Sequence, residues 1–447
     1  MRSDLSENPN PGFDAPGYYF GPFVVDCSQR RLVRGGSVQK GTIVPLTAKA
    51  FDLLLVLLKA NGQTVGIDTL MATLWPFNEE ANDATLRQHV LMLRRALSDR
   101  TQDARYIVTD YGKGYRFVGS VSVGPSLLIQ TLVEQLCVAG NEFRESRNEA
   151  SLQGALELYD RALSIDQNSA DPLGAAALCR CLIADYAREL PKPLLEQARV
   201  QAEAALALNP HCVDALLALT KVFLDYDRDF KRALSTVQLA VLLAPSNCVA
   251  LFLNAWILVL ERRFTDAHAF IDSCGQEFPG VELVRSARGL ALLYDREYAP
   301  AVAELSALSA EWPDFWLARL ALGQALFLAG DVRGALEEFD HIRLSAHDPL
   351  VTRQVDVRFM AEAYALYASF RSGDPAKAEE SLARLKRSSK QRFIPAYCFA
   401  LAEAGRKRYQ EAAYYVRLSR ENRESWYTQL RVEPFLEGLL ATSYQLS

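Results

Sequence analysis

Four prolines set the frame for most of this chain. Pro210, Pro245, Pro279 and Pro313 follow one another at intervals of 35, 34 and 34 residues. Each comes directly after a helix-like run: Ala-Leu-Asn-Pro210, Leu-Leu-Ala-Pro245, Gln-Glu-Phe-Pro279 and Ala-Glu-Trp-Pro313. Proline lacks the N–H that a helix interior needs and its ring clashes with the preceding turn, so each one marks the same point in a recurring unit. The clearest unit is Leu317–Asp340. There Leu322-Gly323 allows close helix approach, Gly330-Asp331 makes a turn, and Ala335, Leu336 and Phe339 form the packed face of a second helix. Ala155-Leu156, Tyr159 and Ala162-Leu163 show the same second-helix pattern earlier, and Lys377-Ala378 and Glu411-Ala412-Ala413 show looser versions later. A helix–turn–helix of this length cannot bury its apolar face alone. Stacked neighbours make one continuous core and a concave surface built from the first helices. The spacing predicts eight helical pairs between Leu127 and Asn422, closed by a capping helix ending near Leu440.

The first 120 residues read differently. Residues 1–17, with three Pro, two Gly and four Asn or Ser, are expected to be a flexible tail. Strand patterns follow at Tyr18–Asp26, Arg30–Arg34, near Val38 and at Ile43–Leu46. Thr47 is placed to cap a helix with apolar positions Phe51, Leu54, Leu55 and Leu58. A second helix, Ile67–Trp75, stops at Pro76. A third, Ala84–Leu97, buries Leu86, Val90, Leu93 and Leu97 on one stripe. Its opposite face carries Ala84, Gln88 and Arg95, with Thr85 and Met92 beside them. Two short strands then turn at Gly112-Lys113-Gly114. Three helices closed by a hairpin make a winged helix-turn-helix, whose third helix suits a major groove and whose hairpin suits the backbone or minor groove. The fold class expected is therefore mostly α: an α+β winged helix followed by an all-α superhelix.

At 447 residues more than one core is needed. The net charge of −5 divides into +2 for residues 1–120 and −7 for residues 121–447, which suits nucleic-acid contact at the front only. The most apolar window, Val249–Leu260, is shorter than the roughly 20 residues needed to span a bilayer. With no signal-peptide pattern either, a cytoplasmic protein without membrane contact is expected. The eight cysteines are scattered, Cys179 and Cys181 are not a CxxC pair, and the five histidines form no HExxH. No metal or cofactor is expected. With no P-loop, dinucleotide glycine pattern or GxSxG either, the chain is not expected to be an enzyme.

Tyr18 to about Gly119 resembles the OmpR/PhoB family of winged-helix DNA-binding domains. The resemblance rests on Leu46-Thr47-x-x-x-Phe51-x-Leu53-Leu54, Leu70-x-x-x-Leu74-Trp75-Pro76, Val90-x-x-Leu93-Arg94-Arg95-x-Leu97 and Gly112-x-Gly114-Tyr115-Arg116-Phe117. The 34-residue units are similar to tetratricopeptide repeats. The combined plan resembles HilA-like transcriptional regulators and the antibiotic regulatory proteins that carry a bacterial transcriptional activation domain. The segment Arg431-Val432-Glu433-Pro434-Phe435 resembles their closing segment. No receiver domain precedes the winged helix in this sequence, so control by phosphorylation is not implied. The expected division is a tail (1–17), a winged helix (18–120), a linker (121–126) and a repeat domain (127–447).

The resemblance implies roles. Thr85, Arg87, Gln88, His89, Leu91, Met92, Arg94 and Arg95 would belong to the recognition helix, with Gln88 and Met92 at base edges. Gln pairs with adenine and Met offers apolar contact to a thymine methyl. Arg87, Arg94 and Arg95 would take phosphates, and Lys113 and Arg116 would serve the wing. Family members often carry basic residues where this chain has Leu91 and Met92. That departure weakens independent DNA affinity and gives weight to dimerisation or to RNA polymerase as a partner. Phe77, Asn78, Glu79 and Glu80 match the family's polymerase-contacting loop; they fit equally a solvated acidic loop before an N-cap at Asn82 or Asp83. Tyr115 is expected in the core. The reading that follows is a regulator, an activator, that binds double-stranded promoter DNA and receives a protein or small-molecule signal at its repeats. The alternative is a tetratricopeptide interaction scaffold whose winged helix no longer binds DNA.

Overall fold

A computed structural model of the chain describes residues 17–27, 29–35, 41–76, 82–124, 127–145, 149–186, 190–277, 281–345, 357–372, 375–437 and 439. The chain forms two compact units, Met1–Gln135 and Leu136–Ser447. The first is built from β1 (Gly17–Phe20), β2 (Phe23–Asp26), β3 (Arg31–Arg34), β4 (Thr42–Val44), α1 (Ala48–Lys59), β5 (Val65–Gly66), α2 (Ile67–Leu74), α3 (Asp83–Ala96), β6 (Ile107–Asp110), β7 (Gly114–Phe117) and β8 (Ser122–Gly124). One antiparallel sheet has the order β4-β3-β2-β1-β8; a second, three-stranded sheet has the order β5-β7-β6.

The strand expected over Tyr18–Asp26 is two strands. Gly21, at φ 49°, turns the chain so that Phe20 lies opposite Phe23. Of residues 121–126, expected as a linker, Ser122–Gly124 instead form β8 and pair with β1. Their pairing partner lies some hundred residues upstream, so no local pattern announces it. The extended piece expected near Val38 lies outside the described residues. Thr47 does cap α1, its hydroxyl accepting from Ala50 N at 3.2 Å. The core gathers Leu53, Leu54, Leu57, Leu70, Leu86, Leu93, Ile107 and Phe117, all buried.

The array that follows contains eight helical pairs among the described residues, from Leu127–Glu145 with Glu149–Ile165 to Ala396–Gly405 with Tyr409–Glu421. In the clearest pair, Trp316–Leu328 and Val332–Ser345, a Cβ at Gly323 would overlap the Phe339 ring, so only glycine permits this approach. The turns inside the pairs recur with the prolines. Arg228, Arg262, Arg296 and Gly330 stand 34 residues apart and adopt φ of 60°, 59°, 68° and 97°. Such left-handed residues end helices by letting a later N–H reach back. Here Arg263, Glu297 and Asp331 donate to Leu258, Leu292 and Leu326 carbonyls, each at 2.9 Å. Arginine is a strained choice for that conformation, and the end of the chain shows what some of these arginines do.

Where a capping helix ending near Leu440 is expected, the described residues form two 3₁₀ turns, Ser425–Arg431 and Pro434–Leu436, before helical positions at Glu437 and Leu439; residues 438 and 440–447 lie outside the described part. This closing segment returns to turns far upstream. Arg228 donates to the Arg420 carbonyl at 2.5 Å and lies 4.5 Å from the Tyr427 ring centre. Arg423 donates to the Tyr226 carbonyl at 2.6 Å, Arg431 to the Leu260 carbonyl at 3.1 Å, and Arg296 pairs with Glu437. Contacts spanning more than a hundred residues replace the local polar cap that a repeat array otherwise needs.

Candidate nucleic-acid interface

Helix α3 starts at Asn82, whose Oδ1 accepts from Ala84 N at 3.0 Å and Thr85 N at 3.2 Å. The Thr85 hydroxyl reaches back to the Asn82 N–H, completing a capping box. Leu86, Val90 and Leu93 are buried beneath it, as the apolar stripe requires. That leaves Ala84, Arg87, Gln88, Leu91 and Arg95 exposed on one face. Leu91 sits in the middle of it, 48% exposed.

The hairpin beside it is held by two polar anchors, neither of which sequence reasoning assigned to that role. Asp99 is buried, and its carboxylate accepts from the backbone N–H groups of Arg105 (2.7 Å), Tyr106 (3.3 Å) and Ile107 (2.8 Å). Three donors on one carboxylate fix the loop that leads from α3 into β6. The second anchor is Arg94, which is 8% exposed. Its guanidinium donates to Thr101 Oγ1 at 3.1 Å, the Ile107 carbonyl at 3.0 Å and Thr109 Oγ1 at 2.9 Å. At the hairpin tip Gly112 takes φ 72° and Gly114 φ 152°. A Cβ on Gly114 would overlap the Val65 carbonyl, because β5 pairs tightly there. Lys113 is exposed at the tip, and Tyr111 beside it is 88% exposed. Arg116 pairs with Asp110 at 3.2 Å. Hydrogen bonds from Arg116 and from Thr64 hold the Asp110 carboxyl below its usual range.

Residues 41–117 match a family described as the C-terminal domain of transcriptional regulatory proteins. This part of the chain is an OmpR/PhoB-type winged-helix domain. It is 39% identical over 74 residues to the transcriptional regulator HilA of Salmonella typhimurium, a match covering 17% of this chain and 13% of HilA. It is 35% identical over 75 residues to the DNA-binding dual master transcriptional regulator RpaA of Synechocystis, covering 17% of this chain and 31% of RpaA. The chain therefore spans well under half the length of these curated relatives. Among solved structures, the DNA-binding domain of Klebsiella pneumoniae RstA, determined in complex with its RstA box, is 27% identical. It covers 23% of this chain and 96% of that one, with a TM-score of 0.21.

Within this winged-helix domain the expected contact residues divide. Arg87, Gln88, Leu91, Arg95 and Lys113 are exposed together on α3 and the wing tip. Arg87 is loosely paired with Asp83 at 3.8 Å. Arg94 is a correction: expected on phosphate, it points inward and braces α3 against β6. The physical reason is its place beside Leu93 on the buried stripe, where the charge needs partners; its two Nη atoms find them in Thr101, Ile107 and Thr109, while Nε has none. Met92 is half-buried in a cleft with Pro45 and Thr47, so Leu91 and not Met92 centres the free face. His89 is half-buried too; its Nδ1 meets the Thr85 carbonyl at 2.9 Å and its ring lies 5.3 Å from that of Trp75. Thr85 is spent on the cap. Tyr115 is buried, as expected. Phe77, Asn78, Glu79 and Glu80 lie outside the described residues. Among the described residues no His, Cys, Asp or Glu group is arranged to hold a metal, and no helix is long and apolar enough to cross a membrane.

Proposed function

We propose that this protein is a transcription regulator that binds double-stranded promoter DNA through the exposed face of α3 and the wing tip. One observation carries the reading. In an OmpR/PhoB-type domain, Arg87, Gln88, Leu91 and Arg95 share a single free helix face, with Lys113 exposed at the tip of the hairpin. Gln88 reads a base edge, Leu91 meets a thymine methyl, and Arg87, Arg95 and Lys113 take phosphates. The repeats receive a protein or small-molecule signal and provide a surface for self-association, and the outcome is activation in the cytoplasm. RNA polymerase contact through residues 77–80 belongs to the same reading, on sequence alone.

The test is fluorescence anisotropy of the full chain on duplexes from upstream of its own gene, at several salt concentrations. Wild-type binding should weaken steeply with salt, and Arg95→Ala should flatten the log–log slope by about one unit per lost phosphate contact. Leu91 favours the alternative, a protein-contacting helix, because an exposed leucine at the centre of the face suits an apolar partner. Affinity without salt dependence, unmoved by Arg95→Ala, would establish that alternative.

A further inference from the structure

The first helices of the second to sixth pairs, together with the closing segment, surround a cavity of about 150 Å³. Its walls are mainly apolar, with Leu224, Phe252, Trp256, Leu290 and Leu320 among them. Polar side chains interrupt them, chiefly a cluster around Lys221 and the amide of Gln324. At one point Lys221 and its partners face the space. Its Nζ lies 2.8 Å from Asp185 Oδ2 and 3.2 Å from Asp225 Oδ2. Two carboxylates already share the one ammonium, so this cluster has no positive charge left for an anion. Lys221 immediately precedes, and Asp225 lies within, a π-helical turn, Val222–Asp227, a feature found disproportionately at functional sites.

The other polar group is only loosely engaged. Gln324 is 2% exposed and lines the cavity; its amide faces the Tyr294 hydroxyl, but its Nε2, with two N–H groups to place, forms no well-aligned hydrogen bond. Buried donors without partners are rare and costly, and one aimed into a cavity waits for an acceptor. Nearby, the Tyr294 hydroxyl is occupied, donating to Gln429 Oε1 at 3.2 Å. Gln429 and Trp426 come from the closing segment and complete the wall. The closing segment therefore forms one side of the cavity.

We propose that this cavity binds a small uncharged organic molecule, apolar over most of its surface and carrying one carbonyl-type acceptor, with Gln324 Nε2 as the donor. Anions are excluded by the acidic excess around Lys221, and large ligands by the volume. Because the closing segment forms part of the wall, occupancy stabilises its seat on the repeats. This names the effector class for the signal-receiving role proposed above and rests on that role only for its effect on transcription.

The experiment is calorimetric titration and thermal unfolding of the full chain with three probes of similar size: acetophenone, toluene and benzoate. Acetophenone should bind saturably at one site and raise Tm with concentration. Benzoate should bind at least about ten-fold more weakly, given the buried carboxylates. Gln324→Leu should lower acetophenone affinity by about ten-fold, the worth of one hydrogen bond, and leave toluene unchanged. Ala321→Phe, which fills the space, should abolish both. Circular dichroism checks that the variants keep their helix content, and the shape-conserving Gln324→Leu stands if the larger side chain unfolds the array. No saturable acetophenone binding, equal binding of benzoate, or an unchanged acetophenone affinity in Gln324→Leu overturns the proposal. Anisotropy on DNA with the same preparations reports the transcription reading separately, so a failure of one is not mistaken for a failure of the other.

Discussion

The hydroxyl of Tyr364 donates a 2.7 Å hydrogen bond to Glu433 Oε2, joining two buried side chains 69 residues apart. Burial pushes the Glu433 carboxyl up to about 7, and the hydrogen bonds from Tyr364 and the Phe435 N–H only partly oppose it. An acid whose folded pKa is raised stabilises fully below its unfolded value and loses that contribution as pH rises through the folded one. The window here runs from about pH 4.5 to about 7, and the shift is worth on the order of 3 kcal/mol.

Glu433→Gln mimics the protonated acid at all pH values. The variant should match the wild type near pH 5 and unfold at higher temperature near pH 8. Thermal scans at the two pH values check this, and an identical difference at both would exclude Glu433 as the titrating group.

Arg94 and Arg95 are neighbours with opposite duties. Arg94→Ala should cost about 2–4 kcal/mol of stability, because buried bonds to Thr101, Thr109 and the Ile107 carbonyl are lost together. Arg95→Ala should change stability by less than about 0.5 kcal/mol, while weakening DNA binding on every sequence. Urea unfolding and DNA anisotropy on the two single variants separate the effects. A double variant would confuse loss of contact with loss of fold.

Gln88→Ala should cost about 1–3 kcal/mol on the preferred operator and much less on random DNA. Met92→Ala should instead show chiefly in stability, since Met92 is half-buried beside Pro45. Competition binding with the two DNAs decides it: equal losses on both for Gln88→Ala would mean that this residue does not read bases.

The left-handed arginines offer a test of sign. Arg262→Gly should be neutral or stabilising by up to about 1 kcal/mol, because it removes backbone strain. Arg228→Gly and Arg296→Gly should destabilise, because they also release Tyr427 and Glu437. Denaturant midpoints for the three variants give the comparison directly.

The architecture was legible wherever its cause was local. Proline stops at a 34-residue interval, the Leu86–Val90–Leu93 stripe and the Gly112–Gly114 turn depend on backbone sterics and on burial of one face. Those act within a few residues, so the spacing alone determines a winged helix followed by stacked helical pairs. The exposed side of α3 follows from the same periodicity, which is why Gln88 and Arg95 are exposed where the sequence places them. Arg94 departs from its expected role because that role came with the family resemblance, and no local rule shows that Thr101, Ile107 and Thr109 come back to meet its guanidinium at the stripe's edge. β8, the Asp99 anchor and the return of residues 420–437 to Arg228, Leu260 and Arg296 were equally invisible, since their partners lie far apart along the chain or only three-dimensional proximity selects them. Local rules decided which elements form. Long-range hydrogen bonds and desolvation, which exist only once the chain has closed on itself, decided which polar side chains face inward, how the array ends, and that a cavity lined by the buried amide of Gln324 lies within it.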